Sequence, residues 1–299
     1  MNKFIVITTI QEPTKATLSF IEKKDWHVVV VGDLKTPHQS YENLDCTYIH
    51  PEEQEKIHKE LSDKIGWNCI QRRNMGFLYV YKEGADILAT VDDDNIPYDF
   101  WGEDVLVNKE IEVDIYSSNN GYFDPLSVTN NSDLWHRGYP IELVTTKNEI
   151  QHLGTEKRKV LVQADLWDGD PDIDAICRLS KMPEVKFNTS KPYASNQIGP
   201  FNSQNTFVSR DVIPYYMVLP NVGRMDDIWG SYIIQNKFPN SVIYNSASVY
   251  QERNEQDLVL NLEKEIIGYR NTLNYLNGKY AIQDDAMDAY KTYQNAFNL

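Results

Sequence analysis

Short runs of consecutive apolar residues, each closed by polar ones, mark the first hundred positions. FIVITTI (4–10), WHVVVVGD (26–33) and ADILATVD (85–92) are rich in β-branched side chains and do not alternate with polar ones. That pattern predicts strands buried on both faces. Between them the apolar positions return at helical spacing. Residues 14–24 predict a helix with Thr14 as its cap, PEEQEKIHKELSDKIG (51–66) a second, and RRNMGFLYVYKEGA (72–85) a third that ends at Gly84. Strands alternating with helices indicate parallel βαβ units, hence an α/β fold. In open α/β sheets, ligands bind beyond the carboxyl ends of strands. Those ends carry Thr8–Thr9, Asp33 with Lys35, and Asp92–Asp94.

The second half is less regular. Between about 116 and 230 it is rich in Pro, Asn, Tyr and Trp, which predicts long loops and a mixed sheet. DLVLNLEKEIIGYRNTLNYLN (257–277) has apolar positions at helical spacing and predicts a closing helix. No stretch is rich enough in Gly, Ser or Pro to divide the chain.

Composition narrows the function classes. The chain has 299 residues, 41% hydrophobic and 12% aromatic, enough for a packed core. The net charge of −15 leaves no basic surplus for nucleic-acid phosphates, so no nucleic-acid partner is expected. Cys46, Cys69 and Cys177 are widely spaced and odd in number, which points to a reducing compartment. The opening MNKFIVITTIQEP lacks the charge pattern and cleavage site of a signal peptide, and no run approaches the length of a membrane span. A soluble cytoplasmic protein without a transmembrane segment is expected, with room for peripheral membrane association through a partner. The oligomeric state is not legible.

Three consecutive like charges, Asp92, Asp93 and Asp94, end the third predicted strand. Such repulsion is relieved either by solvent at an acidic turn or by a divalent cation carrying a polyanion. Mg²⁺ and Mn²⁺ take carboxylate and water oxygens and share their shell with phosphate. The position at a predicted ligand edge favours the cation, with Asp92 and Asp94 as ligands. Before this strand, QRRNMG (71–76) places Arg72, Arg73 and Asn74 at a helix start, where a phosphate or base edge can bind; the alternative is a solvated basic turn. Asp168, Asp170, Asp172 and Asp174 alternate in WDGDPDIDAI without the spacing or terminal Glu of an EF-hand. No GxGxxG or P-loop is present, which counts against dinucleotide or ATP chemistry.

An Arg-Asn-x-Gly stretch, a helix, then a strand ending in aspartates resembles the GT-A glycosyltransferases. KFIVITTIQEPT and DWHVVVVGDLKTP resemble the start of the STELLO-type glycosyltransferases, and PFNSQNTFVSRDVIPYYMVLP (200–220) their Asn-Ser-x-Asn-Thr segment. WHRGYPIELV (135–144) and the Pro-Asp-x-Asp of LVQADLWDGDPDIDA (161–175) resemble segments of both that family and the reversibly glycosylated polypeptides, which act as UDP-arabinopyranose mutases. GRMDDIWGSYI (223–233) resembles the mutase family's Arg-x-Asp-Asp-x-Trp. The matches run collinearly from about residue 3 to 255.

The resemblance implies one GT-A-like domain with a mostly parallel central sheet flanked by helices. Residues 1–115 would form a nucleotide-binding half, 116–255 an acceptor and sugar half, and 256–299 a C-terminal helical segment. It implies a metal-dependent transfer from a nucleotide-sugar, with UDP as the expected nucleotide, to a glycan or glycolipid hydroxyl. Mn²⁺ or Mg²⁺ would rest on Asp92 and Asp94. Thr8, Asp33, Lys35, Arg73, Asn74, Asp92 and Asp93 would line the nucleotide pocket. The six histidines all lie at or before residue 152, so no late histidine is available as a further ligand. Asp227, or second Asp226, would take the acceptor's proton, followed by the aromatic Trp229; alternatively the pair caps a helix. Arg137 would lie beside the anomeric carbon or diphosphate, or else be a buried arginine paired with an aspartate of 168–174. Asp172 and Asp174 would shape the acceptor or sugar pocket. Two alternatives are a UDP-sugar pyranose/furanose mutase and a non-catalytic nucleotide-sugar binder.

Overall fold

The computed structural model describes residues 1–253 and 256–298. The strands are β1 (Lys3–Thr8), β2 (His27–Val31), β3 (Thr47–Ile49), β4 (Ile87–Asp92), β5 (Asn95–Pro97), β6 (Glu110–Ser118), β7 (Ile150–Lys159), β8 (Val162–Gly169), β9 (Tyr193–Ser195), β10 (Asn205–Ser209) and β11 (Val242–Gln251). The α-helices are α1 (Lys15–Ile21), α2 (Pro51–Ile65), α3 (Arg73–Lys82), α4 (Ala175–Lys181), α5 (Asp226–Lys237), α6 (Leu258–Leu276) and α7 (Asp284–Asn295). All strands join one sheet in the order β3-β2-β1-β4-β10-β8-β11-β9-β6-β7, with β5 added to β11.

The three apolar runs become β1, β2 and β4 as expected. With β3 they form a wholly parallel four-stranded block. Ile5, Val6 and Ile7 of β1 and Val29, Val30 and Val31 of β2 are fully buried, because helices cover both faces. On one face α2, α3, α5 and α7 contribute to one apolar core. On the other, Phe20 of α1 and Cys177 of α4 join Trp26, Trp101 and Trp167 in a second. The second half is mixed: β10 runs antiparallel to β4 and β8, whereas β8 and β11 are parallel. This is the α/β architecture expected of a Rossmann-like GT-A sheet.

Local signals act where expected. The Thr14 hydroxyl accepts from the Thr17 N–H and caps α1. Gly84 has φ +81°, and after α3 the Ala85 N–H bonds the Val80 carbonyl while the Gly84 N–H bonds that of Tyr81. That is a Schellman closure, which glycine's freedom at positive φ permits. Residues 257–277 yield α6, capped by the Asp257 carboxylate.

Gly76 explains how α3 lies so close to the sheet. A Cβ there would sit 2.6 Å from Val6 Cγ1 and 2.7 Å from Val31 Cγ2. Both valines are fully buried and cannot swing away. Gly76→Ala is therefore expected to destabilise by about 1–3 kcal/mol through overpacking, although alanine is the better helix former by about 1 kcal/mol. Urea denaturation measures the sign.

Two elements assist the site directly. β1 and β4 pair in register with Thr8 beside Asp92, so the acidic triplet emerges next to the end of β1. α5 is buried nearly all round and presents Asp226 and Asp227 in its first turn, where the helix dipole favours negative charge.

Candidate functional site

A cleft of about 530 Å³ opens beyond the carboxyl ends of β1 and β4. Asp92, Asp94, Arg137, Asp226 and Asp227 all line it, so residues up to 135 positions apart in the expected site converge. Asp172, Ser203, Gln204, Gln251 and Arg253 complete its floor and wall.

Asp92 and Asp94 face the cleft, while Asp93 turns away. The Asp93 carboxylate accepts from the Thr9 hydroxyl at 2.5 Å, and its carbonyl accepts from the Thr14 hydroxyl. Burial raises the Asp93 pKa, partly offset by the Thr9 bond. Asp93 thus ties β4 to α1. Asp92 accepts from Arg73 Nη2 at 2.5 Å. Asp94 Oδ1 lies 3.5 Å from Gln251 Nε2.

The basic helix start points inward. Arg73 is fully buried and donates to Ser203, the Val91 carbonyl and the Thr8 hydroxyl besides Asp92. Asn74 pairs both ends of its amide with the backbone of Val218 and is not a lining residue. Arg72 bonds Gln54, Ser62 and the Gly66 carbonyl, with its guanidinium stacked 3.7 Å over Trp67. These residues hold the cleft's walls and the Asp92 carboxylate from behind. Thr8 does the same through Arg73.

Asp33 is also an organiser. Its carboxylate accepts from the N–H groups of Leu34, Asn68 and Cys69, fixing the loop whose Asn68 and Cys69 line the cleft. Lys35 is exposed and does not line it.

Arg137 lies at the centre of a buried charge cluster. It clasps Asp172 through Nε and Nη2 at 2.9 Å each, and Asp227 through Nη1 at 3.0 Å. Nη1 also donates to the Arg224 carbonyl and lies 3.9 Å from Asp226. The arginine is paired with Asp172, as the second sequence alternative has it, and it also borders the cleft. Burial alone would lower its pKa, but the surrounding carboxylates raise it well above the ordinary arginine value. Against the same burial penalty, Arg137 pulls Asp172 and Asp227 below the usual carboxylate range.

Asp226 has the opposite fate. Burial and the neighbouring Asp227 push it up to about 7, with Arg137 only partly compensating. Its Oδ2 accepts from Gln71 Nε2 at 2.9 Å. Asp227, by contrast, is saturated by Arg137 and by the Ser203 N–H and hydroxyl. Trp229 does not reach the cleft; it packs on Tyr275 and Tyr280, and its indole N–H donates to Thr272.

The alternating aspartates disperse. Asp168 binds the Phe187 N–H and Tyr98 hydroxyl, Asp170 pairs with Arg178 and Arg253, Asp172 with Arg137, and Asp174 caps α4. Only Asp172 of the pair expected to shape the pocket lines it.

A divalent ion at this cleft would find two facing carboxylates, Asp92 and Asp94. Among the described residues there is no group of three or more His, Cys, Asp or Glu arranged to hold a metal. The two carboxylates fit an ion that completes its shell with diphosphate oxygens and water.

Over 88% of this chain, the Arabidopsis thaliana protein named Probable glycosyltransferase STELLO2 is 21% identical. Probable glycosyltransferase STELLO1 of the same plant is 21% identical over 68%. The chain resembles the STELLO-type glycosyltransferases. It spans 38% of STELLO2 and 29% of STELLO1, well under half of either. No family model matches. Among solved structures, A197 from STIV aligns over 83% of both chains at 11% identity with a TM-score of 0.36, a likeness too low to argue from.

Sequence reasoning missed Gln71, Ser203, Arg224, Arg253 and Lys264 as site residues. Ser203 was signalled by the Asn-Ser-x-Asn-Thr segment that carries the STELLO likeness. Arg253 and Lys264 had no local signal; they come to the cleft from the end of β11 and from α6. No helix among the described residues is long and apolar enough to cross a membrane.

Proposed function

We propose that this chain is a glycosyltransferase of GT-A type that passes a sugar from a nucleotide-sugar, UDP-linked in the first instance, to a hydroxyl of a glycan or glycolipid acceptor. The observation that carries the reading is the meeting, in one cleft, of the Asp92/Asp94 edge of β4 with the Asp226/Asp227 start of α5. The likeness to two proteins named as probable glycosyltransferases supports it. Bound Mn²⁺ or Mg²⁺, held by Asp92 and Asp94, would supply positive charge to the leaving diphosphate.

The chain's own residues do the rest. Asp226 accepts the acceptor hydroxyl's proton as the acceptor oxygen bonds the anomeric carbon and the sugar–phosphate bond breaks. It suits this work better than Asp227, reversing the order expected from sequence: a carboxylate near pKa 7 is a stronger base than one held low by Arg137. Asp227 and Arg137 position it. Asp33 and Arg73 hold the loop and the carboxylate that face the donor. Every guanidinium nitrogen of Arg137 is already hydrogen-bonded within the protein, which suits a positioning role.

Calorimetric titration of UDP, GDP and CDP, each with and without Mn²⁺, tests the donor site. One nucleotide is expected to bind only with metal. Asp94→Asn should weaken that binding by about 10–100-fold. Binding indifferent to both metal and substitution would reduce the triplet to an acidic turn.

A further inference from the structure

We propose that the acceptor carries a phosphate, bound by Lys264, Arg253 and Arg224 while its hydroxyl faces Asp226; this rests on the transferase reading above. The cations belong to one rim. Arg224 stands two residues before Asp226, and its carbonyl accepts from Arg137. At Gly223, with φ +62°, a Cβ would lie 2.1 Å from the Lys264 carbonyl, so this turn touches the turn of α6 that bears Lys264. All three cations line the cleft beside the base.

Their charge is incompletely matched. Lys264 is exposed and makes no ion pair or hydrogen bond through its ammonium among the described residues. The Arg253 side chain is only 8% exposed. Its Nη2 reaches the Pro171 carbonyl and Gln251 Oε1 at 3.3 Å, and its Nη1 makes no hydrogen bond among the described residues. Its carboxylate neighbour Asp170, 3.2 Å from Nε, is shared with Arg178. Asp170 thus meets two guanidiniums, and although Asp172 also acts on Arg253, Nη1 is left for an oxyanion, with arginine geometry suited to phosphate. Only Arg224 is fully matched, by Glu265 at 2.8 Å.

The cleft also lacks what a neutral glycan needs. Among the described residues no Phe, Tyr, Trp or His lines it. A neutral sugar presents an apolar C–H face that binds best on a flat apolar ring, whereas amides, carboxylates and cations suit a small charged acceptor.

The same cations could instead serve the donor's diphosphate, because Gln251 links Arg253 to Asp94. The experiment separates the two sources. Glucose 6-phosphate and glucose are titrated into protein saturated with UDP and Mn²⁺. Glucose 6-phosphate is expected to bind in the millimolar range or tighter, about −4 kcal/mol, and glucose not to bind. Lys264→Glu, at an exposed position, should weaken glucose 6-phosphate at least about tenfold and leave UDP within about twofold. Equal binding of the two sugars, failure of glucose 6-phosphate to bind, or a tenfold loss of UDP affinity in Lys264→Glu would each overturn the proposal. If UDP itself does not bind, the transferase reading fails separately. Inorganic phosphate titrated into the unloaded protein then decides: binding lost in Lys264→Glu upholds the anion site, and no binding overturns it.

Discussion

Asp226→Asn is expected to lower the transfer rate by about 10²–10⁴-fold, the range for removing a positioned general base, while nucleotide affinity stays nearly unchanged. Asn offers one oxygen where Asp226 uses two, Oδ1 for the Asp227 N–H and Oδ2 for Gln71 Nε2. With its oxygen kept on the Asp227 N–H, its NH2 donates to the Gln71 side-chain oxygen once that amide turns over, so the local frame survives. In the wild type the base must be ionised, and burial beside Asp227 holds it near 7. Activity should therefore rise as pH passes upward through about 7 and fall in acid. Stability should move the other way. A carboxyl whose pKa is raised on folding binds its proton more tightly in the native state. It leaves the fold unpenalised below the unfolded value near 4 and progressively destabilises it as pH rises toward 7. Asp226→Asn removes that penalty, so the variant should melt higher than wild type at pH 8 and by a smaller margin at pH 5. A residue retained at a cost to stability and lost with activity is what a catalytic base looks like. Initial rates against pH, with parallel melting curves, check both halves.

Arg137→Ala should be the most destabilising single change in the cleft. It leaves Asp172 and Asp227 buried without their cation, a loss of about 3–5 kcal/mol out of a total on the order of 5–15 kcal/mol. The pH dependence is the specific signature. In the wild type Asp172 and Asp227 are held low, so their contribution is present above the unfolded carboxylate value and is lost as pH falls below it. Without Arg137 the same carboxyls are raised by burial, and acid then stabilises the variant as pH drops from 7 toward 5. Arg137→Lys should recover part of the loss, because an ammonium restores charge but not the two-pronged clasp on Asp172. Denaturant titrations at several pH values measure each slope.

β1, β2 and β4 were readable because strands covered on both faces must be apolar throughout. β7 was not: IQHLGTEKRK lies at the sheet edge with most residues exposed, and a charged edge strand carries no apolar run. The acidic triplet was readable as the end of a buried strand, but its division into cleft-facing Asp92 and Asp94 with an anchored Asp93 was not: β4 ends at Asp92, and Asp93 lies in the turn that follows, held by Thr9 and Thr14. The basic helix start misled. Arg73 and Asn74 were placed in the nucleotide pocket, yet they serve Asp92, Ser203 and Val218, partners up to 144 positions away. The order of Asp227 and Asp226 likewise turns on a distant partner. Adjacent carboxylates look alike in sequence; Arg137, brought in from 90 positions away, neutralises one and leaves the other raised.

The central claim is that the cleft transfers a sugar from a nucleotide-sugar with Asp226 as base. The most direct measurement follows nucleoside diphosphate release from a panel of UDP-, GDP- and CDP-sugars, with glucose 6-phosphate and a glycan mixture as acceptors, for wild type and Asp226→Asn. The account predicts acceptor-stimulated release from one nucleotide class, nearly absent in Asp226→Asn. Release equal in both proteins, or isomerisation of the donor sugar without any release, would contradict it.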